Sequence, residues 1–574
     1  MATAAAPTDR DLVSQQEARR LAQRAKDAAP ALADLTQDQI DRIVDAMAAA
    51  ARAKAEEFAR LAVEETGFGV VDDKVQKNRF ATDRIYEFIR PMKTVGVIAR
   101  FADRKVIEIA EPFGVVAGVV PSTNPTSTAI YKILIALKAR CPIVLSPHPS
   151  AARCITRVAE VMAQAAAAAG APAGAVNWMD TVTLEGTQEL MRHRHVAVIL
   201  ATGGMGLVRA AYSAGKPAYG VGPGNAPCFV DRTADAAKAA EDIIVGKAFD
   251  NGLLCSSPNS VVVDTAIAGE TKRQLVSRGA HFLSKTEADA LASQLVLPTR
   301  LPNPKFVGRS AIEIAQRVGL SAPPATRVLI AELDGVGRDY PLSIEKLSPV
   351  LSYYVVADWR EGCERCIQIL RYGGMGHTMS IHSQDDDVIL QFGLRKPAFR
   401  IVVNTPTTHG SIGLTTGLDP SMTLGCGGYG GNITSDNISP KHLLNIKRLA
   451  YELRPASTGR QPSAGSSGPR PATAPGAPPA AALPQAPPVA QAPGVAAGAI
   501  QHQVQSMLSG TPARPAAEPT SAPPAEAAFV CEEDVRTAIR AGRKIVIGER
   551  TIVTPAARDL AASHRVFIEA GWRP

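Results

Sequence analysis

Cys255 is a candidate nucleophile because of where it stands in the sequence. It lies in FDNGLLCSSPNS (residues 249–260), between an Asn-Gly turn signal and two serines, after a helical pattern and before the apolar strand SVVVD. Buried structural cysteines usually lie in apolar runs, whereas a nucleophilic cysteine needs partial exposure and a stabilised thiolate. A polar loop between a helix and a strand can provide both. The local pattern alone fits a catalytic cysteine and a structural or unused thiol equally well.

Three further stretches could complete such a site. Asn124 in VVPSTNPTSTA ends a strand pattern and begins a helix pattern, and its amide could donate to an oxyanion; alone, it reads better as an Asn-Pro turn. ATGGMGLV (201–208) is a strand-to-helix turn whose backbone N–H groups could approach a phosphate, although a Gly pair is not a full GxGxxG fingerprint. YGVGPGNAPCFVD (219–231) is either a ligand-binding loop or a flexible connection.

Other cysteine and histidine positions are weaker candidates. GCERC, with Cys363 and Cys366, has CxxC spacing but lies in a helical pattern without a second pair, so we expect no metal site. His377 in GMGHT is either near the active site or a satisfied structural histidine. Cys426 in LGCGGYGG is expected to be packed rather than reactive.

Short strands alternate with helices through the region that must position these residues. GVVAGVVP precedes PTSTAIYKILIALKAR, CPIVLSPHP precedes SAARCITRVAEVMAQAAAAAG, and HVAVILATGG precedes MGLVRAAYSAG. This alternation predicts an α/β fold with a doubly wound parallel sheet, whose ligands bind at the carboxyl ends of the strands. Residues 37–66 carry the helical apolar spacing i, i+3, i+4.

Bulk properties exclude several classes of function. The chain has 574 residues, 46% hydrophobic and 20% charged, and a formal net charge of +8 spread along its length without a basic stripe; we therefore expect no nucleic-acid ligand. The eight cysteines are irregularly spaced, which favours a reducing cytosol over a disulfide framework. The N-terminus lacks a signal-peptide core and no apolar run reaches about 18 residues, so we expect neither secretion nor a membrane span.

The C-terminal part changes composition twice. Residues 457–528 are rich in Pro, Ala, Gly and Ser and predict an extended, disordered linker. Within it, 496–510 place apolar residues on one face of a short helix that fits a partner groove; a chance pattern is the alternative. Residues 529–574 predict a small α+β module, with KIVIG and TIVTP as paired strands and a helix capped by Thr554 and starting at Pro555.

Residues 1 to about 456 resemble the CoA-acylating aldehyde dehydrogenases, including the dehydrogenase half of the aldehyde-alcohol dehydrogenases and the enzymes of ethanolamine and propanediol utilisation. The resemblance rests on several stretches in order, among them LAVEETGFGVVDDKVQKN, EPFGVVAGVVPSTNPTSTAIYK, ATGGMGLVRAAYSAGKPAYGVGPGNAP, KAFDNGLLCSSPNSVVVD, EKLSPVL, GGMGHTMSIHS and MTLGCGGYGGN. It implies an NAD-binding Rossmann-like lobe at 1–240, oligomerisation strands near 95–112 and 428–456, and a catalytic lobe at 241–427.

The same resemblance assigns roles to residues. It makes Cys255 the nucleophile and Asn124 the oxyanion donor, together with the backbone N–H of Cys255. Glu345 matches the glutamate that holds the nicotinamide ribose. The remaining cofactor-binding positions it implies are Thr202, Gly203, Gly204, Ser146, Pro147, His148 and Gly222. Ser146 stands where hydrolytic relatives carry a lysine, which favours NAD but leaves NADP open.

One departure from the hydrolytic relatives points to the acceptor. Those enzymes activate water with a glutamate in a Glu-Leu-Gly-Gly stretch, and the matching GVGPGNAP (220–227) has no carboxylate. Without a general base, water is a slow acceptor, whereas a thiol attacks a thioester readily near neutral pH. We therefore expect coenzyme A as co-substrate and ping-pong oxidation of a short aldehyde to acyl-CoA.

The tail suggests a compartment. Microcompartment relatives carry amphipathic helices on Pro/Ala-rich linkers, so we expect a homo-oligomeric enzyme directed by 496–510 to shell proteins or co-encapsulated enzymes of a bacterial microcompartment in the cytoplasm. Acetaldehyde and propionaldehyde are the favoured substrates, and sulfoacetaldehyde is the alternative. A free cytosolic enzyme whose tail only drives oligomerisation, and an inactive scaffold on this fold, are the competing hypotheses.

Overall fold

The computed structural model describes residues 9–454, 527, 529–547, 551–564 and 566–569. The chain divides into two units, Met1–Arg460 and Gln461–Pro574. The predicted linker helix at 496–510 lies outside the described residues. In the part of the chain that is described, no helix is both long and apolar enough to cross a membrane.

Sixteen α-helices are described in the first unit and two in the second. They are α1 Arg10–Ala33, α2 Gln37–Ala53, α3 Ala55–Thr66, α4 Val71–Phe80, α5 Tyr86–Ile89, α6 Pro125–Lys138, α7 Ala152–Ala168, α8 Leu184–Arg192, α9 Met205–Tyr212, α10 Ala236–Ala248, α11 Thr265–Ser277, α12 Lys285–Leu295, α13 Ala311–Arg317, α14 Trp359–Tyr372, α15 Asp386–Arg395, α16 Thr407–Ser411, α17 Glu532–Arg540 and α18 Pro555–His564.

Fifteen strands are described in the first unit and four in the second. They are β1 Gly96–Phe101, β2 Val106–Pro112, β3 Val115–Val120, β4 Ile143–Pro147, β5 Val176–Trp178, β6 Val196–Thr202, β7 Ala218–Val221, β8 Ala226–Val230, β9 Pro258–Asp264, β10 Ala280–Phe282, β11 Val328–Glu332, β12 Val350–Val356, β13 Gly376–His382, β14 Ala398–Val403, β15 Leu444–Ala450, β16 Phe529–Val530, β17 Ile545–Ile547, β18 Ile552–Val553 and β19 Phe567–Glu569.

The first of two parallel sheets described in the first unit has five strands, in the order β5-β4-β3-β6-β7. The central strand β3 is buried along its whole length. Its Val116 and Val120 pack into a core with α2, α6 and α7, while Val115, Ala117 and Val119 pack into a second core with α1 and α8. Because helices cover both faces of the sheet, β3 needs a continuous apolar run. The predicted doubly wound architecture is confirmed.

A seven-stranded parallel sheet follows, in the order β10-β11-β12-β9-β8-β13-β14. It begins with β8, whose five residues are all buried. The predicted division at residue 240 falls within α10, whereas the chain changes sheets earlier, between Val221 and Ala226. The reason is that 226–230 lies centrally in the second sheet instead of joining the edge of the first.

A three-stranded antiparallel sheet, in the order β1-β2-β15, lies in the two regions predicted to carry oligomerisation strands. Arg448 of β15 opposes Glu108 of β2, and Arg448 Nε donates to Glu108 Oε1 at 3.0 Å. The sheet is therefore held by side chains as well as by its backbone. Its role in assembly stays a prediction.

The second unit has its own small core, formed by Val530, Val535, Ala538, Ala557, Ala561 and Val566. The predicted pairing of KIVIG with TIVTP is wrong. Instead β17 pairs with β19 and β18 with β16, both in parallel. The chain between β17 and β19 includes α18 and the chain between β16 and β18 includes α17, and such crossovers allow parallel pairing. The predicted start of α18 is confirmed, since Ala557 N donates to Thr554 Oγ1 at 3.3 Å.

Candidate active site

One cavity of about 450 Å³ opens at the carboxyl ends of β3, β4 and β6. This is where ligands bind in parallel α/β sheets. Every site residue predicted from the sequence lines it. They are Asn124, Ser146, Pro147, His148, Thr202, Gly203, Gly204, Gly222, Cys255 and Glu345.

Cys255 follows a short 3-10 turn, Phe249–Gly252, and precedes β9. The residue is partly exposed, as expected, but thiolate-stabilising surroundings are not found. Burial, together with the charge of Glu345, raises the pKa of the Cys255 thiol to about 12, against an opposing effect of Arg400. The resting form is therefore the thiol, and attack on an aldehyde requires prior loss of its proton.

The backbone around Cys255 is closely packed. Gly224 lies so near the carbonyl of Cys255 that any Cβ there would overlap it. Ser256 is buried, and its hydroxyl accepts a hydrogen bond from Ser411 Oγ at 2.7 Å. The loop is therefore fixed on both sides of the sulfur.

Asn124 immediately precedes α6, but its side chain does not cap that helix. Its Oδ1 accepts from Lys77 Nζ at 2.6 Å. Its Nδ2 has two long contacts, to Thr123 Oγ1 at 3.3 Å and to the carbonyl of Leu253 at 3.4 Å. The predicted Asn-Pro turn therefore accounts for the backbone position of Asn124. It leaves the side-chain amide of Asn124 available to the cavity.

Glu345 reaches the cavity from the loop before β12. Its Oε1 accepts from the backbone N–H of Gly224 at 3.0 Å. Burial raises the pKa of the Glu345 carboxyl to about 8, although that hydrogen bond and the nearby Lys247 and Lys346 oppose the shift. Burial also lowers the pKa of the Lys247 ammonium to about 7. Burial thus disfavours the charged form of both groups.

The turn after β6 forms one wall of the cavity. Thr202 Oγ1 is buried without a hydrogen-bond partner among the described residues, which is a costly arrangement unless a ligand satisfies it. Gly204 precedes α9, and a Cβ built on it would meet nothing within 4 Å. The space that a side chain of residue 204 would fill is therefore open, and it lies in front of the N-terminus of α9.

The end of β4 and the residues just after it form another wall of the cavity. Ser146 is buried, and its hydroxyl is 2.8 Å from Thr187 Oγ1. His148 is exposed, with Nδ1 2.8 Å from Ser150 Oγ, and partial burial of its ring lowers the pKa of the imidazole. Neither side chain brings a fixed positive charge to this wall.

The weaker candidates lie outside the cavity lining. Cys363 and Cys366 are buried on α14, and across the described ranges no cluster of three or more metal-ligating side chains occurs. His377 is buried with Nδ1 3.0 Å from Thr378 Oγ1, and burial lowers the pKa of its imidazole to about 3. Cys426 is buried, and burial raises the pKa of its thiol to about 11.

Sequence reasoning missed two groups of residues. Lys74, Lys77 and Asp250 form a buried ionic cluster beside Asn124. The signal was the charged spacing DDKVQKN within a helix that the fold buries, together with the acid that begins DNG. An apolar part of the cavity lining combines Leu254, next to Cys255 in the chain, with Ile412, Met422 and Leu424. The last three come from distant loops and had no local signal.

The arrangement suits covalent chemistry at a carbonyl carbon. A thiol and an amide donor share one cavity with a turn that can hold an anionic ligand. Glu345 is the only carboxylate among the described residues that line this cavity, and the stretch 220–227 contributes none. The site therefore holds a candidate nucleophile and no second carboxylate that could act as a base toward water.

Comparison with known proteins gives matches over most of the first unit. A model of the aldehyde dehydrogenase family matches residues 5–290. The bifunctional aldehyde-alcohol dehydrogenase of Escherichia coli (strain K12) is 42% identical over 435 residues, which are 75% of this chain and 49% of that protein. The chain thus spans about half the length of the curated relatives that it first matches.

Two solved structures are similar over nearly their whole length. An acetylating aldehyde dehydrogenase from Geobacillus thermoglucosidasius has a TM-score of 0.77 and 49% identity, covering 78% of this chain and 99% of that one. A propionaldehyde dehydrogenase from the Clostridium phytofermentans fucose utilisation bacterial microcompartment has a TM-score of 0.68 and 29% identity, covering 75% and 96%.

Proposed function

Because the chain belongs to the aldehyde dehydrogenase family, and within it to the acylating enzymes, we propose that it oxidises a short, uncharged aldehyde to its acyl-CoA with NAD and coenzyme A. The observation that carries the proposal is that Cys255 and Asn124 line the same cavity, in which Glu345 is the only carboxylate of the described lining.

The cavity walls fit a dinucleotide. Thr202 Oγ1 lacks a partner in the described structure, Gly204 leaves space before α9, and Glu345 is held at the cavity by Gly224. These residues would hold the pyrophosphate and the nicotinamide ribose, because helix N-termini favour anions and carboxylates accept from ribose hydroxyls. NAD supplies the hydride acceptor when it is bound.

Cys255 and Asn124 carry out the first step. The Cys255 thiol loses its proton to solvent, and its sulfur bonds to the aldehyde carbon as the carbonyl double bond opens onto the oxygen. The aldehyde oxygen takes up the negative charge and accepts from Asn124 Nδ2 and the backbone N–H of Cys255. After oxidation the carbon stays on the sulfur as a thioester, which the thiol of coenzyme A cleaves to give acyl-CoA and free Cys255.

The acceptor is tested by measuring NADH at 340 nm with propionaldehyde and NAD, with and without free coenzyme A. We expect turnover only with coenzyme A, with propionyl-CoA as product, and none from Cys255→Ala. Steady turnover without coenzyme A, giving propionate, would mean that a base activates water and would overturn the thioester route. Activity of Cys255→Ala would overturn the assignment of the nucleophile.

The aldehyde is proposed to be uncharged. Beside Cys255 the lining is Leu254, Ile412, Met422 and Leu424, and among the described residues no Lys or Arg lines the cavity. A sulfonate or carboxylate would be buried there without a partner, so acetaldehyde or propionaldehyde is favoured over sulfoacetaldehyde. A higher kcat/KM for sulfoacetaldehyde than for propionaldehyde in the same assay would reverse this choice.

The compartment is proposed from the tail and from one neighbour. The C. phytofermentans enzyme comes from a bacterial microcompartment, and 496–510 carries the amphipathic pattern on a Pro/Ala-rich segment. Deleting 457–574 should leave activity intact and abolish co-purification with shell proteins. Loss of oligomerisation with unchanged shell association would favour the alternative, a tail that serves assembly only.

A further inference from the structure

A buried ionic cluster lies beside the oxyanion position. The side chains of Lys74 and Lys77 are 2% and 3% exposed, and that of Asp250 is fully buried. Asp250 Oδ2 accepts from Lys74 Nζ at 3.0 Å and also from Lys77 Nζ. Burying two cations on one carboxylate is costly compared with apolar packing, so a purely structural purpose is a poor account of the cluster.

Lys77 dictates which way the Asn124 amide faces. An ammonium can only donate, so the amide atom 2.6 Å from Lys77 Nζ must be the oxygen. The amide nitrogen is then turned to the other side, where it has only its two long contacts. Without Lys77, the oxygen and nitrogen of Asn124 could exchange places, and an oxygen facing the oxyanion would repel it.

Asp250 connects this arrangement to the nucleophile loop. It lies five residues before Cys255 in a left-handed conformation, with φ of 48°. Its Oδ1 accepts from the backbone N–H of Val70 at 2.7 Å, and Lys74 Nζ also donates to the carbonyl of Thr123 at 3.3 Å. The cluster therefore ties α4, the loop carrying Asn124 and the loop carrying Cys255 together at one point.

We propose that Lys77 is a positioning residue of the reaction, which acts through Asn124 by fixing its amide nitrogen toward the aldehyde oxygen and strengthening it as a donor. This inference rests on the proposed function, because it concerns the same oxyanion. Lys77 forms no bond to the substrate and transfers no proton; its charge withdraws electron density from the amide through Oδ1.

The Lys77 ammonium loses its proton within a pH range that an activity assay can cover. Burial lowers the pKa of the Lys77 ammonium to about 8, against the opposing effect of Asp250. The other charged groups facing it are Lys74 and Asp73 from its own helix. Because the pKa lies below the ordinary lysine value, the ammonium is present below about pH 8 and is lost above it. Its hold on Asn124 should weaken over the same range.

A double-mutant cycle tests the inference with the full-length enzyme. Lys77→Met, Asn124→Ala and the double variant are compared with wild type by coenzyme A-dependent NADH formation. We expect kcat to fall about 10- to 100-fold for Lys77→Met and about 100- to 1,000-fold for Asn124→Ala, on the scale of a lost oxyanion donor. The double variant should be no slower than Asn124→Ala alone, because Lys77 acts through that amide.

A second readout is the pH profile of kcat. Lys77→Arg keeps the charge, so it should restore part of the rate and move the fall in kcat from near pH 8 to higher pH. Lys138→Met is the matched control, since Lys138 is also buried, but its Nζ donates to Asp41 Oδ1 at 2.5 Å and to the carbonyl of Arg90 at 2.8 Å, not to Asn124. The Lys138→Met variant should be less stable than wild type. Any loss of kcat that it causes should multiply with the loss caused by Asn124→Ala.

The outcomes separate the two proposals. Independent, multiplying losses for Lys77→Met and Asn124→Ala, with an unshifted pH profile for Lys77→Arg, would overturn the positioning role while leaving the proposed function standing. Wild-type enzyme without coenzyme A-dependent turnover would overturn the proposed function, and the inference about Lys77 with it.

Discussion

Gly252 lies three residues before Cys255, at a position where adding a single methyl group should displace the loop that carries Cys255. Its φ is +73°, and a Cβ built on it would lie 2.8 Å from the carbonyl oxygen of Ser348. Ser348 is on the loop that carries Glu345. The substitution Gly252→Ala should therefore force apart the loops of the nucleophile and of the cavity carboxylate.

The size of the effect follows from these two quantities. The left-handed backbone costs about 1–2 kcal/mol for a residue with a Cβ. Reaching the ordinary contact distance of 3.4 Å requires a retreat of about 0.6 Å, and overpacking of this kind costs about 1–3 kcal/mol. We expect the free energy of unfolding to fall by about 2–5 kcal/mol, and kcat/KM to fall about 10- to 100-fold because catalysis depends steeply on placement.

The assays are urea denaturation and coenzyme A-dependent NADH formation, measured under conditions in which the variant is fully folded. Gly393→Ala is the matched control, because Gly393 lies in α15 and a Cβ there meets nothing within 4 Å. That variant should be as active as wild type and slightly more stable. Equal stability and activity in Gly252→Ala and Gly393→Ala would refute the close approach of the two loops.

Three other outcomes are expected. Because burial raises the pKa of the Cys255 thiol to about 12, its alkylation by iodoacetamide in the free enzyme should quicken about tenfold per pH unit from about pH 6 to 9; a plateau in this range would show a stabilised thiolate. Asp250→Asn should lower the free energy of unfolding by about 3–5 kcal/mol, since it leaves buried Lys74 and Lys77 without a counter-charge; a change below about 1 kcal/mol in denaturant titration would contradict their burial. Thr202→Val should weaken NAD binding by calorimetry without lowering the melting temperature, and unchanged affinity would remove Thr202 from the cofactor site.

Much of the first unit could be predicted because its signals are local. The run GVVAGVVP forms the buried strand β3, and the Asn-Pro pair after it starts α6. The turn ATGGMG lies at the end of β6 as its glycines indicate. Once strands are parallel, their carboxyl ends meet at one edge, so Asn124 after β3 and Thr202 at the end of β6 could be expected to share a site. Cys255 precedes β9 of the other sheet, so its place in this site followed from the resemblance to the acylating family, and membership of that family is confirmed.

The remainder depends on contacts between distant segments. Lys77 and Asp250 are 173 residues apart, and no periodicity relates them. The raised pKa of Cys255 results from burial by several loops, which a polar local sequence does not reveal. In the second unit, adjacent apolar runs suggested paired strands, but α17 and α18 allow parallel pairing of β18 with the earlier β16 and of β17 with the later β19.

The pairing of β2 with β15 also sets the order of events during synthesis. Leu444–Ala450 completes the antiparallel sheet beside Val106–Pro112, more than three hundred residues earlier in the chain. Until the later strand has been made, one edge of β2 has no partner and can recruit other chains. At about 5–20 residues per second, the roughly 330 residues between Pro112 and Leu444 take about 17 to 66 s to translate. For that time β2 is paired on one edge only, with β1.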